Sequence, residues 1–146
     1  MESSLAAPNG FMDVDIYTLR HKRFGNVFGI GDCTNLPTAK TAAGVFSQAP
    51  VVVHNLLDVM EAGEKARLKG KYDGYNSCPL FTGDKKLMLI EFKYDGLPAE
   101  TFTNNQTTPT RLFYYMKKEL FPVAYFEFAA RGMWFGRKGL IKPSFF

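Results

Sequence analysis

The stretch Asn26–Pro37, NVFGIGDCTNLP, constrains the fold of this chain more than any other. Val27-Phe28-Gly29-Ile30 is apolar and β-branched at both ends, the pattern of a short buried strand. The Gly31-Asp32 pair that follows predicts a tight turn. From Lys40 to about Met60 the pattern becomes helical, opening on the small residues Thr41, Ala42, Ala43 and Gly44. A strand, a tight turn and a helix in that order point to an α/β protein. Pro50 predicts a kink or a division of the helix. Beyond it, Val53, Leu56, Leu57 and Met60 fall at i, i+3, i+4 and i+7, one apolar face.

A carboxylate at the end of a buried strand can do one of two things. Asp32 can accept a hydrogen bond from a sugar-like hydroxyl, beside a helix N-terminus that favours negative charge. It can equally cap the helix that follows. The G-x-G-D pattern on its own does not separate these readings.

Elsewhere the chain reads as alternating loops and short elements. Met12–Ile16 alternates and Thr18–Arg23 is polar, which predicts a hairpin. Glu61–Lys71 reads as a helix end and linker, Leu87–Phe92 as a second strand, and Pro98–Pro109 as a loop. Two short helices are predicted at about 111–120 and 122–134. A chain of 146 residues, 46% hydrophobic and 22% charged, can bury a core. Its two cysteines, Cys33 and Cys78, make no disulfide framework and no zinc pattern. His21 and His54 are read as surface or packed histidines, and no metal site is expected. The start of the chain has no signal-peptide pattern, and no apolar run is long enough to span a bilayer. Asn105-Gln106-Thr107 fits a glycosylation sequon, read here as chance.

The last quarter differs in composition. Residues 111–146 carry 11 of the chain's 22 aromatics and seven Lys/Arg against two Asp/Glu, although the whole chain is only +4. Such a segment suits an anionic surface. Within Phe121–Phe135 only Glu127 and Arg131 are charged, four apart in the favourable order for a helix pair. Either this is a buried core helix, or it lies in a membrane interface. In the second case Phe121, Tyr125, Phe126, Trp134 and Phe135 associate with the membrane. Tyr114 and Tyr115 sit with Trp134 at headgroup level, and Lys117, Lys118, Arg137, Lys138 and Lys142 meet phosphates. A rival reading is a small basic-aromatic module that binds single-stranded nucleic acid without catalysis, but no stacking-sheet motif accompanies it.

"NVFGIGDCTNLPTAKTAAGVFSQ", "KYDGYNSCPLFTG" and the strand "LMLIEF" together closely resemble the C-terminal part of the mitochondrial-type sulfide:quinone oxidoreductases, flavoproteins of the glutathione-reductase-like superfamily. The resemblance runs from about Gly10 to Pro143. It implies a C-terminal portion of a two-dinucleotide-binding-domain flavoprotein, with a strand–turn–helix at the flavin and amphipathic C-terminal helices. Residues 1–110 would carry the flavin and redox-cysteine segments, and 111–146 the membrane-associating helices. The cofactor implied is FAD, with Ile30, Gly31, Asp32, Lys40 and Thr41 as contacts: Asp32 on the ribityl chain, and the helix opening at Lys40 and Thr41 towards the flavin ring. Cys78 matches one of the family's redox pair, whose other member lies upstream in the family. Cys33 does not match it and is expected to be a packed small residue. The implied partners are sulfide, a small sulfur acceptor, a ubiquinone-type quinone and a membrane surface, at the mitochondrial inner membrane, with no nucleic acid. The fingerprint G-x-G-x-x-G for the ADP half of FAD does not follow any strand of this chain. Without the N-terminal half, the chain is expected to be inactive alone.

Overall fold

The computed structural model describes residues 3–102 and 105–134. The architecture is a small α/β arrangement: one long helix, a two-stranded antiparallel sheet and a helical tail.

The long helix, α1, spans Ala42–Ala62. Thr41 starts it, its hydroxyl accepting the Gly44 N–H at 3.1 Å. Gly63 ends it at φ +76°, its N–H returning to the Val59 carbonyl at 2.8 Å. Pro50 does not divide the helix. It lies buried in mid-helix with the helical backbone continuing on both sides.

The predicted apolar face of α1 exists but points outward. Val53, Leu57 and Met60 are 48%, 46% and 74% exposed. The buried side carries Gly44, Gln48, Val51, Asn55 and Asp58. Periodicity locates a face; it does not say which face meets the core. Hydrogen bonds make the polar side tolerable to bury. The Asn55 amide donates to the carbonyls of Thr18 at 2.9 Å and Gly70 at 3.0 Å, and accepts from the Gly70 N–H at 2.8 Å. A Cβ at Gly70 would stand 2.9 Å from both Asn55 Oδ1 and the Val51 carbonyl, so only glycine lets the linker lie this close.

Val27–Ile30 is not a strand of the described residues. Phe28 makes a single antiparallel bridge to Arg20, and only Gly29 of the four is buried. A buried strand needs neighbours to complete its ladder, and here one bridge is all it has. The hairpin before it does form. Val14 bridges His21, the Asp15 N–H donates to the Arg20 carbonyl at 2.8 Å, and the Lys22 N–H donates to the Asp13 carbonyl at 3.0 Å.

The sheet pairs β1 (Asn76–Gly83) with β2 (Lys86–Phe92), placing Cys78 opposite Ile90. Asp84 and Lys85 both have positive φ, the requirement of a tight hairpin turn. β2 alternates as a half-buried strand should, with Leu87, Leu89 and Glu91 inward.

Two cores result. The larger gathers Val14, Leu19, Leu36, Val51, Tyr72, Tyr75 and Ala99. The smaller joins Leu87 and Leu89 to Phe113 at the start of the tail.

The tail is not two separate helices. α2 (Arg111–Tyr115), a π turn (Met116–Leu120), α3 (Phe121–Ala124) and a second π turn (Tyr125–Ala129) abut, and the residues at their junctions keep right-handed helical dihedrals. Pro122 has no N–H to close a normal turn, and the wider π turn directly precedes it.

Candidate functional site

The Gly31-Asp32 turn is real. Gly31 takes φ +74° and opens a 3-10 turn, Gly31–Cys33, with Ile30 extended before it. The Thr34 hydroxyl donates to the Gly31 carbonyl at 2.7 Å, and the Gly31 N–H donates to Gln48 Oε1 on α1 at 2.7 Å. Both groups of the glycine are thereby fixed.

Asp32 does not cap α1, because Thr41 holds that place. Its side chain is exposed and accepts no hydrogen bond from the described residues, which leaves the carboxylate available to an outside donor. Lys40 is committed differently. Its ammonium donates to the carbonyls of Thr34 at 2.7 Å and Leu36 at 3.2 Å, and lies 5.4 Å from the centre of the Phe11 ring. As folded here, Lys40 ties down the loop between the turn and α1.

Cys33 is exposed rather than packed, its thiol donating to the Ile30 carbonyl at 3.3 Å. In a three-residue turn its side chain has no core to enter. Cys78 is half-buried on β1. Both β1 and the Gly31 turn pack against α1, so one helix supports the two features singled out by sequence.

The residues before Cys78 are held with unusual thoroughness. Gly74, at φ +82°, has no room for a Cβ, which would stand 2.4 Å from the Tyr94 ring. The Tyr72 hydroxyl, raised in pKa by burial against hydrogen bonds from Gln48 and Thr38, donates to the Tyr75 carbonyl at 2.7 Å. The Tyr75 hydroxyl donates to Glu91. Glu91 is 5% exposed yet also accepts from the Thr101 N–H and hydroxyl, both at 2.8 Å, and from Gln106 at 2.6 Å. A buried carboxylate is tolerable only when its lone pairs are filled in this way. Sequence reading missed Gln48, Tyr72 and Glu91. The available signal was polar residues at helical spacing on α1, Gln48, Asn55 and Asp58, and one carboxylate inside an otherwise apolar strand.

The histidines are structural. His21 is buried; Nδ1 accepts from the N–H groups of Arg23 and Phe24 at 3.0 and 3.2 Å, and Nε2 faces the Leu5 carbonyl at 3.1 Å. His54 does have a partner at helical spacing, Asp58 at 3.4 Å, which the sequence reading overlooked. Among the described residues no three potential ligands cluster into a metal site.

Among the described residues of 111–129 only Phe113 is buried. Phe126 is 65% exposed and Tyr125 47%, while Phe121 is half-buried. Glu127 and Arg131 form the anticipated pair at 2.8 Å. Trp134 turns back and stacks on Phe46 of α1, ring centres 5.8 Å apart, closing an apolar groove lined by Pro50, Val53 and Ala129. Phe135 lies outside the described residues. No described helix is long and apolar enough to cross a membrane.

The chain is 47% identical over 99% of its length to the mitochondrial sulfide:quinone oxidoreductase of Schizosaccharomyces pombe, 44% over 92% to that of Mus musculus, and 44% over 97% to that of Dictyostelium discoideum. The chain is thus related to the mitochondrial-type sulfide:quinone oxidoreductases along nearly its whole sequence. It spans about a third of those relatives' length, at 32%, 29% and 31%. Among solved structures, a chain of the Tetrahymena thermophila mitochondrial ATP synthase superposes with a TM-score of 0.74 and 29% identity, over 84% of this chain and 29% of that one. No protein-family profile matches the chain. Nothing in these likenesses favours the nucleic-acid alternative.

Proposed function

We propose that this chain forms the cysteine-bearing, membrane-facing part of an FAD-dependent sulfide:quinone oxidoreductase at the mitochondrial inner membrane. The observation that carries the reading is the near-complete match to three such enzymes, in a chain whose Gly31-Asp32 turn and Cys78 strand share one supporting helix. Residues 1–110 hold the chemistry, and 111–146 the contact with lipid.

The residues present suit FAD in one respect and not in another. Asp32 offers an unspent carboxylate for a ribityl hydroxyl, and Ile30 and Gly31 give the extended entry and open turn beside it. The start of α1 at Thr41 would supply the positive end of a helix dipole. Lys40 would have to leave two carbonyls to reach a flavin. Bound FAD would supply the two-electron acceptor of the reaction, and a quinone its reoxidant.

Cys78 would act as one half of a disulfide. Sulfide attacks that bond, so that one sulfur becomes a persulfide and the other leaves as a thiolate carrying the electron pair. The sulfane sulfur then departs on a small nucleophilic acceptor. The groove between Phe46, Pro50 and Trp134 is where an apolar quinone tail would meet the described residues.

The test is a chimera in which this chain replaces the matching third of the Schizosaccharomyces pombe enzyme. Sulfide-dependent quinone reduction should persist, fall to background in Cys78→Ser with flavin still bound, and survive in Cys33→Ser. Equal loss in both variants would overturn the role given to Cys78.

A further inference from the structure

The hairpin that carries Cys78 ends in an apolar tip, and the tail begins beside that tip. We propose that the tip is a second membrane contact, entering a bilayer with anionic headgroups next to the tail. The choice of lipid rests on the membrane-facing reading of the tail above; the continuity of the two surfaces does not.

Leu80 and Phe81, near the end of β1, are 40% and 62% exposed. Asp84 and Lys85, both at positive φ, close the hairpin tightly behind them. Phe81 stands opposite Leu87 in the sheet. Leu87 in turn exchanges two backbone hydrogen bonds with Thr110, donating its N–H at 3.1 Å and accepting at 3.0 Å. Thr110 caps α2, so the tail leaves the sheet at the hairpin tip. Rings complete the join. Phe81 meets Tyr114 edge to face with centres 5.9 Å apart, and Tyr114 meets Tyr115 in the same way at 5.3 Å. Leu112 and Tyr115, 64% and 48% exposed, carry the apolar surface onto the tail.

Three cations border this surface. Lys85, Lys86 and Arg111 are exposed, and among the described residues none of them pairs with a carboxylate. Asp84 is the one acid between Leu80 and Lys86. The pattern selects lipid over protein. Lysine is depleted where proteins meet, and a lysine pair beside bare rings would be desolvated there without a partner. At a bilayer the rings enter the acyl boundary, the lysine stems run along them, and the ammonium groups stay among the phosphates.

Trp134 is the chain's one tryptophan, so Phe81→Trp combined with Trp134→Phe moves the fluorescent probe to the tip of the 146-residue chain. Vesicles of phosphatidylcholine and phosphatidylserine, with and without brominated acyl chains, read its depth. The indole emission should shift to the blue and be quenched by bromine as the chain binds. Phe81→Ser should weaken binding about tenfold. Lys85→Gln should weaken it about fivefold on the anionic vesicles at low salt, and not on phosphatidylcholine alone. A bound chain whose indole keeps its aqueous emission and escapes bromine overturns the proposal and makes the tip a protein contact. Unchanged affinity in Phe81→Ser overturns it too. A chain that binds no vesicle overturns it together with the membrane role of the tail. That role fails separately if changing Phe126 and Phe128 to Ser leaves affinity and quenching as they were, a result that keeps the tip.

Discussion

The inner side of α1 and the outer side of the tail are opposites. Inside, polar groups are buried and partnered: Gln48 to Gly31, Asn55 to Thr18 and Gly70, Asp58 to Lys69. Outside, Leu120, Val123 and Phe126 are 53%, 53% and 65% exposed, and α1 adds Val53, Leu57 and Met60 to the same apolar exterior. A buried amide stabilises little relative to an apolar neighbour but fixes a geometry, since only one arrangement fills every bond. An exposed phenylalanine fixes nothing and gains about 1.5–3 kcal/mol when something apolar covers it. The first region is built for position and the second for contact.

If position is the business of the inner region, its tightest points should break it most. Gly74→Ala places a Cβ within 2.4 Å of the Tyr94 ring at a backbone angle unsuited to alanine. The loss should be about 4 kcal/mol or more, leaving little folded protein by urea titration. Near-normal stability would mean that the segment before Cys78 is loosely held. Asn55→Ala strands the Gly70 N–H and carbonyl in a buried site and should cost about 3 kcal/mol. A denaturation midpoint within error of the parent would remove the case for a polar, position-setting interior.

A smaller effect should appear with pH. A backbone hydrogen bond from Lys69, then its ammonium and His54, hold the Asp58 carboxyl below its ordinary pKa. Asp15 behaves alike: burial opposes ionisation, but hydrogen bonds from Thr18 and Tyr17 outweigh it. The folded state thus prefers both ions. Their contribution is complete above the unfolded-state value of about 3.9 and is lost as pH falls through the lower folded values. Thermal midpoints should be flat near neutrality and drop below about pH 4. Asp58→Asn should lower the neutral midpoint and soften the acid drop. An unaltered acid profile in this variant would assign the drop to other carboxylates.

How much of this was legible in the sequence follows the same division. The second strand, the hairpin near Val14, the long helix and the Glu127–Arg131 pair were readable because each is decided by local pattern. The strand at Val27–Ile30 was not, since a four-residue apolar run becomes a strand only if neighbours pair with it. The orientation of α1 was not legible for a related reason. Apolar periodicity marks Val53, Leu56, Leu57 and Met60, yet Gln48 and Asn55 are the residues with partners to meet inside. Cys78 could be singled out only by resemblance; nothing in its local spacing separates it from an ordinary packed thiol. Gln48, Tyr72 and Glu91 depend on contacts between distant segments, which no local pattern encodes.

The claim that joins the two regions is that the outward apolar residues of the tail are there for lipid. Binding of the whole chain to anionic vesicles, followed as salt is raised, tests it directly. Aromatic insertion contributes roughly 1.5–3 kcal/mol per fully buried ring, against about 1 kcal/mol for each lysine near the surface, and only the latter is screened. Binding should therefore persist in high salt and be lost when the exposed Phe126 and Phe128 are both changed to Ser. Complete release by salt, with the double variant binding as the parent does, would contradict the account and make the tail a charged docking surface.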